Sequence, residues 1–228
     1  MEVVMHIPDG YLSPQTFVPF YIVMIAIWKK AIDKIKKELD LKNIPYVAMG
    51  SAFSFIIMMF NVPVPGGTTG HAVGSAIIAI LFGPWMAVIS VSIALIIQAL
   101  IFGDGGLTAI GANCFNMAFV MPFVAYYVFR FFQKKFNKTY LSSFISGYLS
   151  LNIAAIVTAI EFGIQPYIAN EGGKALYCPY PLKIAIYAMG AEHFLLFGFV
   201  EGFVTAGVMY YFIKNNDESL KIKAMEDL

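Results

Sequence analysis

Charge is what this chain has least of. Only 15 Lys or Arg and 14 Asp or Glu occur among 228 residues, 13% in all, and the formal net charge is +1. That scarcity excludes an ordinary soluble domain, and the near-neutral balance gives no electrostatic footprint for nucleic acid. Cysteine is scarcer still. Cys114 and Cys178 are too few and too far apart for a disulfide framework or a thiolate metal site, and both read as incidental thiols. With three histidines, imidazole chemistry rests on His6, His71 and His193. No lysine follows the glycine-rich run at 65–74, so GxxxxGK[ST] is not met, and the chain carries no ATP site. Nucleophile elbows and kinase signatures are lacking too. The first residues have no basic n-region and the first apolar run ends in lysines, so no cleavable signal is expected.

What is there is apolar: 59% hydrophobic and 16% aromatic residues, with a mean hydropathy of +0.73. This is the composition of a membrane protein, with aromatics suited to lipid contact and interfacial belts. Seven apolar segments can be read, at 16–33, 45–60, 71–82, 84–102, 107–132, 140–165 and 184–213. Two of them, 45–60 and 71–82, are short against the roughly 20 residues of a full crossing. Charge arbitrates. Lys29, Lys30, Lys34, Lys36, Lys37 and Lys42 follow the first segment, Arg130, Lys134, Lys135 and Lys138 the fifth, and Lys214, Lys221 and Lys223 the last. Those are 13 of the 15 basic residues, and seven crossings place all of them on one side, the cytoplasm by the positive-inside rule. The expected fold is therefore an all-α polytopic membrane protein of about seven transmembrane helices, N-terminus outside and C-terminus inside. Residues 1–228 form one domain, with 1–15 an N-terminal segment of candidate ligands and 214–228 a cytoplasmic tail. The outer loop 165–183 is a candidate lid.

This topology puts His6, before the first crossing, and His71, at the start of the third, on the same face. Costly polar groups at membrane depth also fall in the outer half: Gln98, Asn113, Asn116, Glu161, Glu192 and His193. Such groups normally face a bundle interior or cavity, so an outward-facing polar pocket is expected. Neutral imidazole is a common ligand for nickel, cobalt, zinc and copper. If the chain begins at Met5, its amine, the amide nitrogen of His6 and the His6 Nδ1 can chelate one ion in adjacent small rings. One nitrogen from His71 makes four, a set that favours square-planar Ni(II) or Cu(II). Met1 to Val4 precede Met5 as written, which makes the Met5 nitrogen an amide. A start at Met5, or removal of the first four residues, is the expectation this chemistry motivates.

The glycines of 65–74 make a helix-breaking turn and allow close approach of an inserted segment. Gly103-Asp104-Gly105-Gly106 reads as a turn, since one carboxylate does not meet the calcium-loop pattern. Asn113 and Asn116 share a helix face and can bond a neighbouring helix or hold the N-terminal segment. His193 and Glu201 lie eight apart, about 12 Å along a helix, which fails HExxH. His193 reads as an interhelical hydrogen-bonding residue. Asn113, Asn116, Glu161 and His193 are candidates to back the ligands or line the path.

Met5 to Ser13, the Pro65–His71 run, Gly103 to Pro122, Ala175-Leu176-Tyr177-Cys178-Pro179-Tyr180-Pro181-Leu182 and the stretch His193 to Thr205 resemble the CbiM/NikM family. These are substrate-binding membrane subunits of energy-coupling-factor (ECF) nickel and cobalt transporters in prokaryotic cell membranes. The resemblance covers nearly the whole chain. It implies a seven-helix fold with the Met-His segment inserted into the core, and ligands from Met5, His6 and His71. It also implies Ni(II) or Co(II) as transported substrate, a membrane coupling subunit, cytoplasmic ATPase subunits and a small accessory membrane subunit. Met-His-Ile-Pro-Asp with Pro-Gly-Gly-Thr-Thr looks more like the nickel branch. The expected role is metal capture for an ATP-driven importer, not catalysis. Alternatives are a cobalt subunit serving cobalamin synthesis, a vitamin-binding subunit, and an intramembrane metallo-hydrolase using His193 and Glu201.

Overall fold

A computed structural model of the chain describes residues 6–38, 44–64, 68–215 and 222–227. Among the described residues, five helices are long and apolar enough to cross a membrane. They are α1 (Pro14–Glu38), α4 (Pro84–Phe102), α5 (Ile110–Phe136), α6 (Thr139–Ile168) and α7 (Leu182–Lys214). Two helices are shorter, as the apolar pattern anticipates: α2 (Ile44–Met58) and α3 (Ser75–Phe82). At 1.5 Å per residue, the 8 residues of α3 reach only about 12 Å. The turn before α3 is a small antiparallel hairpin, β1 (Val62–Val64) against β2 (Thr68–Gly70). A second hairpin, β3 (Asn170–Glu171) with β4 (Lys174–Ala175), lies in the loop between α6 and α7. A short terminal helix, α8 (Lys223–Glu226), has Ala224 fully buried.

The core is built where helices bring small residues together. Helix α6 buries Ser142, Ser143, Ser146, Gly147 and Ser150, α7 buries Gly198, Gly202 and Thr205, and the two helices meet closely at Gly147 and Gly202. A Cβ on Gly147 would stand 2.7 Å from Thr205 Oγ1 and 2.8 Å from the Glu201 carbonyl oxygen. Small residues let backbones approach this closely, and between membrane helices packing takes the place of a hydrophobic drive. The interior of α3 is apolar throughout, and Ile77, Ile78 and Ile80 join Val91, Leu95, Met121, Phe129 and Phe197 in one cluster.

The apolar run at 71–82 does not become helical until Ser75. Gly74 adopts φ +72°, and His71 to Gly74 are non-helical and buried. Their backbone groups find side-chain partners from other helices. Glu201 Oε2 accepts from the Val73 N–H at 2.7 Å and the Gly74 N–H at 3.1 Å. The Ser54 hydroxyl donates to the Val73 carbonyl at 2.8 Å. Non-helical backbone inside a helical bundle is tolerated only when satisfied in this way. Three other departures from α geometry are π-helical turns at Gln98–Phe102, Cys114–Val120 and His193–Phe197, a feature frequent near functional sites.

Candidate metal centre

Residues 6–13 precede the first helix, yet they are docked into the core. Ile7 and Leu12 are buried with Ala109 and Ala112, flanked by Tyr11, Phe17, Phe20 and Phe162. The Asn113 side chain clasps Ile7 from both sides: its Oδ1 accepts from the Ile7 N–H at 3.0 Å, and its Nδ2 donates to the Ile7 carbonyl at 3.2 Å. The Gly106 N–H donates to the same carbonyl at 2.9 Å. Asp9 accepts from the Leu107 and Thr108 N–H groups and the Thr108 hydroxyl, at 3.1, 2.8 and 2.5 Å. Burial would raise the Asp9 carboxyl, but those Thr108 and Leu107 hydrogen bonds outweigh it and hold it below its ordinary value. Farther along, the Ser13 N–H donates to Gln165 Oε1 at 2.9 Å. The loop after α6 reaches the segment through the Cys178 N–H, which donates to the Tyr11 carbonyl at 3.2 Å.

This docking carries His6 to His71. The two ring centroids lie 5.1 Å apart, with planes at 71°, and both residues are buried. Nothing local brings them together, since 64 residues separate them in the chain. The His71 Nδ1 lies 2.8 Å from the Ala72 carbonyl. Donation there would leave the lone pair on Nε2. The His6 Nδ1 lies 3.2 Å from Asp104 Oδ1, and its Nε2 is buried without a partner. Each ring therefore holds Nδ1 on an acceptor.

Asp104 is the participant that sequence reasoning misses. Gly103-Asp104-Gly105-Gly106 reads as a turn, and it is one, with φ of +67° at Gly103 and +96° at Gly105. Nothing in the pattern says that this turn faces the segment around His6, far earlier in the chain. Two close approaches build the contact. A Cβ on Gly105 would stand 3.1 Å from His6 Cβ, and one on Gly106 would collide with the Asp9 N–H and the Pro8 carbonyl carbon. Gly106→Ala is thus expected to push residues 6–13 out of their groove and lower metal affinity roughly tenfold or more, a loss of at least about 1.4 kcal/mol. Gly207→Ala, where a Cβ meets nothing within 4 Å, is the neutral comparison. Metal titration of both variants checks this.

Asp104 feels its surroundings in the expected sense. Burial would raise its carboxyl, but the hydrogen bond from His6 and the charges of His6 and His71 hold it below the ordinary carboxylate value. It does not complete a cage. Among the described residues, no group of three or more His, Cys, Asp or Glu side chains is arranged to hold a metal. An ion between the two rings needs donors beyond these side chains. Met5 lies outside the described residues. The chelate through His6 Nδ1 expected from sequence would require that nitrogen to leave Asp104.

The other candidates divide. Asn113 holds the N-terminal segment, as described. Asn116 instead bonds the neighbouring helix, its Nδ2 donating to Thr158 Oγ1 and Glu161 Oε2, both at 2.9 Å. Glu161 Oε1 and Asn116 Oδ1 are buried without a hydrogen-bond partner. His193 corrects an expectation. It bonds within its own helix, with Nδ1 2.8 Å from the Met189 carbonyl, rather than across to another. The ring folds back over the preceding turn and rests against Phe197, centroids 5.6 Å apart. Glu201, paired with His193 in the hydrolase alternative, is occupied by the Val73 and Gly74 N–H groups. Cys114 and Cys178 are buried free thiols.

A family described as "cobalt uptake substrate-specific transmembrane region", CbiM, matches residues 6–219. The chain belongs to the CbiM family. Its relatives are nickel and cobalt transport proteins. A fused nickel transport protein of Rhodobacter capsulatus is 45% identical over 221 residues, 95% of this chain but 64% of that protein. The chain thus spans somewhat less than two thirds of that fused relative. A putative metal transport protein of Methanocaldococcus jannaschii is 51% identical over 208 residues, covering 91% of this chain and 90% of that one. A cobalt transport protein of Ruminiclostridium cellulolyticum is 34% identical over 118 residues, 51% of this chain and 48% of that one. Among solved structures, a truncated transition metal transporter superposes with a TM-score of 0.88 at 50% identity, over 92% of this chain and 99% of that one. This CbiM-family chain is accordingly a membrane component of the nickel and cobalt transport family, with five membrane-spanning helices by length and composition.

Proposed function

We propose that this chain is the substrate-capture subunit of an ATP-driven importer for a divalent transition metal, with Ni(II) as substrate in preference to Co(II). The observation that carries this reading is the meeting of His6 and His71, buried with ring centroids 5.1 Å apart. The His6 and His71 rings form half of a nitrogen set, and nitrogens from Met5 and the His6 backbone complete it, His6 Nδ1 exchanging Asp104 for the ion. Four nitrogens suit a planar nickel ion better than tetrahedral zinc. Nickel is also favoured by the relatives. Those named for nickel transport match at 39–45% over 92–96% of the chain, whereas those named for cobalt transport match at 34–38% over about half of it.

In this reading the bundle crosses the membrane seven times. Helices α2 and α3 act as the short crossings, the latter extended by the buried run 71–74. The N-terminus lies outside, so the hydrated ion arrives from the outer face and exchanges water for nitrogen. The basic runs after α1, α5 and α7 face the cytoplasm of a prokaryotic cell. There a membrane coupling subunit, ATPase subunits and a small accessory subunit would engage the chain, and ATP hydrolysis would drive release.

The test is metal content by mass spectrometry after exposure of the purified full chain to equal nickel, cobalt and zinc. About one metal per chain is expected, nickel most, cobalt next and zinc least. Because binding displaces protons from imidazole, occupancy should fall as pH drops from about 7.5 to about 5.5. A chain that takes up none of the three, or holds them equally at both pH values, would refute the reading.

A further inference from the structure

We propose that Phe197 is a positioning residue of the metal centre: its ring, seated against Gly70, fixes where His71 stands and so sustains the preference for nickel over zinc. This rests on the nitrogen-ligand reading above. A Cβ on Gly70 would lie 2.1 Å from both Cε2 and Cζ of Phe197 and 2.4 Å from its Cε1. The backbone immediately before His71 therefore rests on the far edge of that ring. Gly70 does not adopt a positive φ, so its backbone conformation would accept an alanine. Space alone, set by the ring, demands glycine there.

Phe197 stands on a fixed base. It is buried and closes the π turn His193–Phe197. The next residue, Gly198, packs so closely on α6 that a Cβ there would lie 2.3 Å from Asn152 Nδ2. One turn farther along the same face of α7, Glu201 accepts from the Val73 and Gly74 N–H groups at 2.7 and 3.1 Å. Helix α7 thus supports the chain on both sides of His71, by contact at Gly70 and by hydrogen bonds at Val73 and Gly74. An imidazole mounted between two such supports has little room to shift. That bears on the choice of metal. Planar nickel needs its fourth nitrogen in the plane of the other three, whereas zinc takes a tetrahedral set, and a ligand constellation must be held within about 0.5 Å to enforce one geometry.

The experiment is nickel and zinc titration of the purified full chain as wild type, Gly70→Ala, Phe197→Leu, the double variant Gly70→Ala/Phe197→Leu, and His71→Ala. Metal-free melting is recorded alongside. Leucine lacks the Cε and Cζ atoms that an alanine at position 70 would strike. Gly70→Ala is expected to lower nickel affinity about 10–100-fold, and the double variant should recover to within about threefold of Phe197→Leu alone, a strong departure from additivity. Phe197→Leu by itself should weaken nickel more than zinc, so that the preference for nickel falls about tenfold. Wild-type nickel affinity in Gly70→Ala while His71→Ala loses nickel would overturn the proposal and leave the nitrogen-ligand reading standing. A loss in Gly70→Ala that Phe197→Leu does not restore would overturn it too. So would a Phe197→Leu chain that weakens both metals equally in step with lowered melting, since Phe197 would then only fill the core. Nickel retained by His71→Ala would remove the reading itself, and this inference with it.

Discussion

Glu201→Ala is expected to destabilise the fold by about 3–5 kcal/mol, measured as unfolding of the metal-free protein in detergent. The carboxylate is fully buried and accepts from two consecutive backbone N–H groups, those of Val73 and Gly74. Each buried donor left without an acceptor costs about 1–3 kcal/mol. Glu201→Gln keeps an acceptor oxygen and should cost only about 1 kcal/mol, the size of one ordinary hydrogen bond. The loss should reach the metal as well. His71 is two residues before Val73, so a slack connection at 71–74 loosens one of the two imidazoles. Nickel affinity should fall with stability in Glu201→Ala and be nearly retained in Glu201→Gln. An alanine variant that melts like wild type would mean that the break before α3 is held by something other than this carboxylate.

Much of this architecture is legible in sequence because lipid imposes a simple code. The apolar runs at 84–102, 140–165 and 184–213 become α4, α6 and α7 with ends displaced by no more than a few residues, since long apolar stretches must be helical in a bilayer. The run at 71–82 shows where the code fails. His71-Ala72-Val73-Gly74 blends into the apolar stretch of α3, and hydropathy cannot separate a buried non-helical segment from a helix. The deciding facts are Gly74 at φ +72° and a carboxylate 127 residues away that satisfies the backbone. The same holds for the site. His6 and His71 stand out by rarity, and shared topology puts them on one face. Asp104 is hidden by its glycines, because a turn motif states the local backbone and not the surface it meets. Helix spacing narrows the partners of Asn113 and Asn116 to two possibilities, and each residue takes a different one. His193 departs from its expected interhelical role because its acceptor lies in its own helix, at Met189.

The largest effect on function is expected from the two histidines themselves. In the proposed four-nitrogen site, His71→Ala removes one nitrogen, and His6→Ala removes a ring nitrogen together with the contact to Asp104. Each should lower nickel affinity about 100-fold or more, close to 3 kcal/mol. Their combination decides what kind of site this is. Ligands of one ion do not act independently, so the double variant should lose little beyond the worse single one, a strong departure from additivity. Two losses that simply add would place the histidines at separate weak sites. His193→Ala sharpens the contrast. Its Nδ1 is engaged by the Met189 carbonyl and its ring rests against Phe197, so replacing it should change nickel affinity by less than about threefold, under 1 kcal/mol. A loss at His193 equal to that at His71 would move the centre of the site toward α7, and would make the 5.1 Å approach of His6 to His71 packing rather than chemistry.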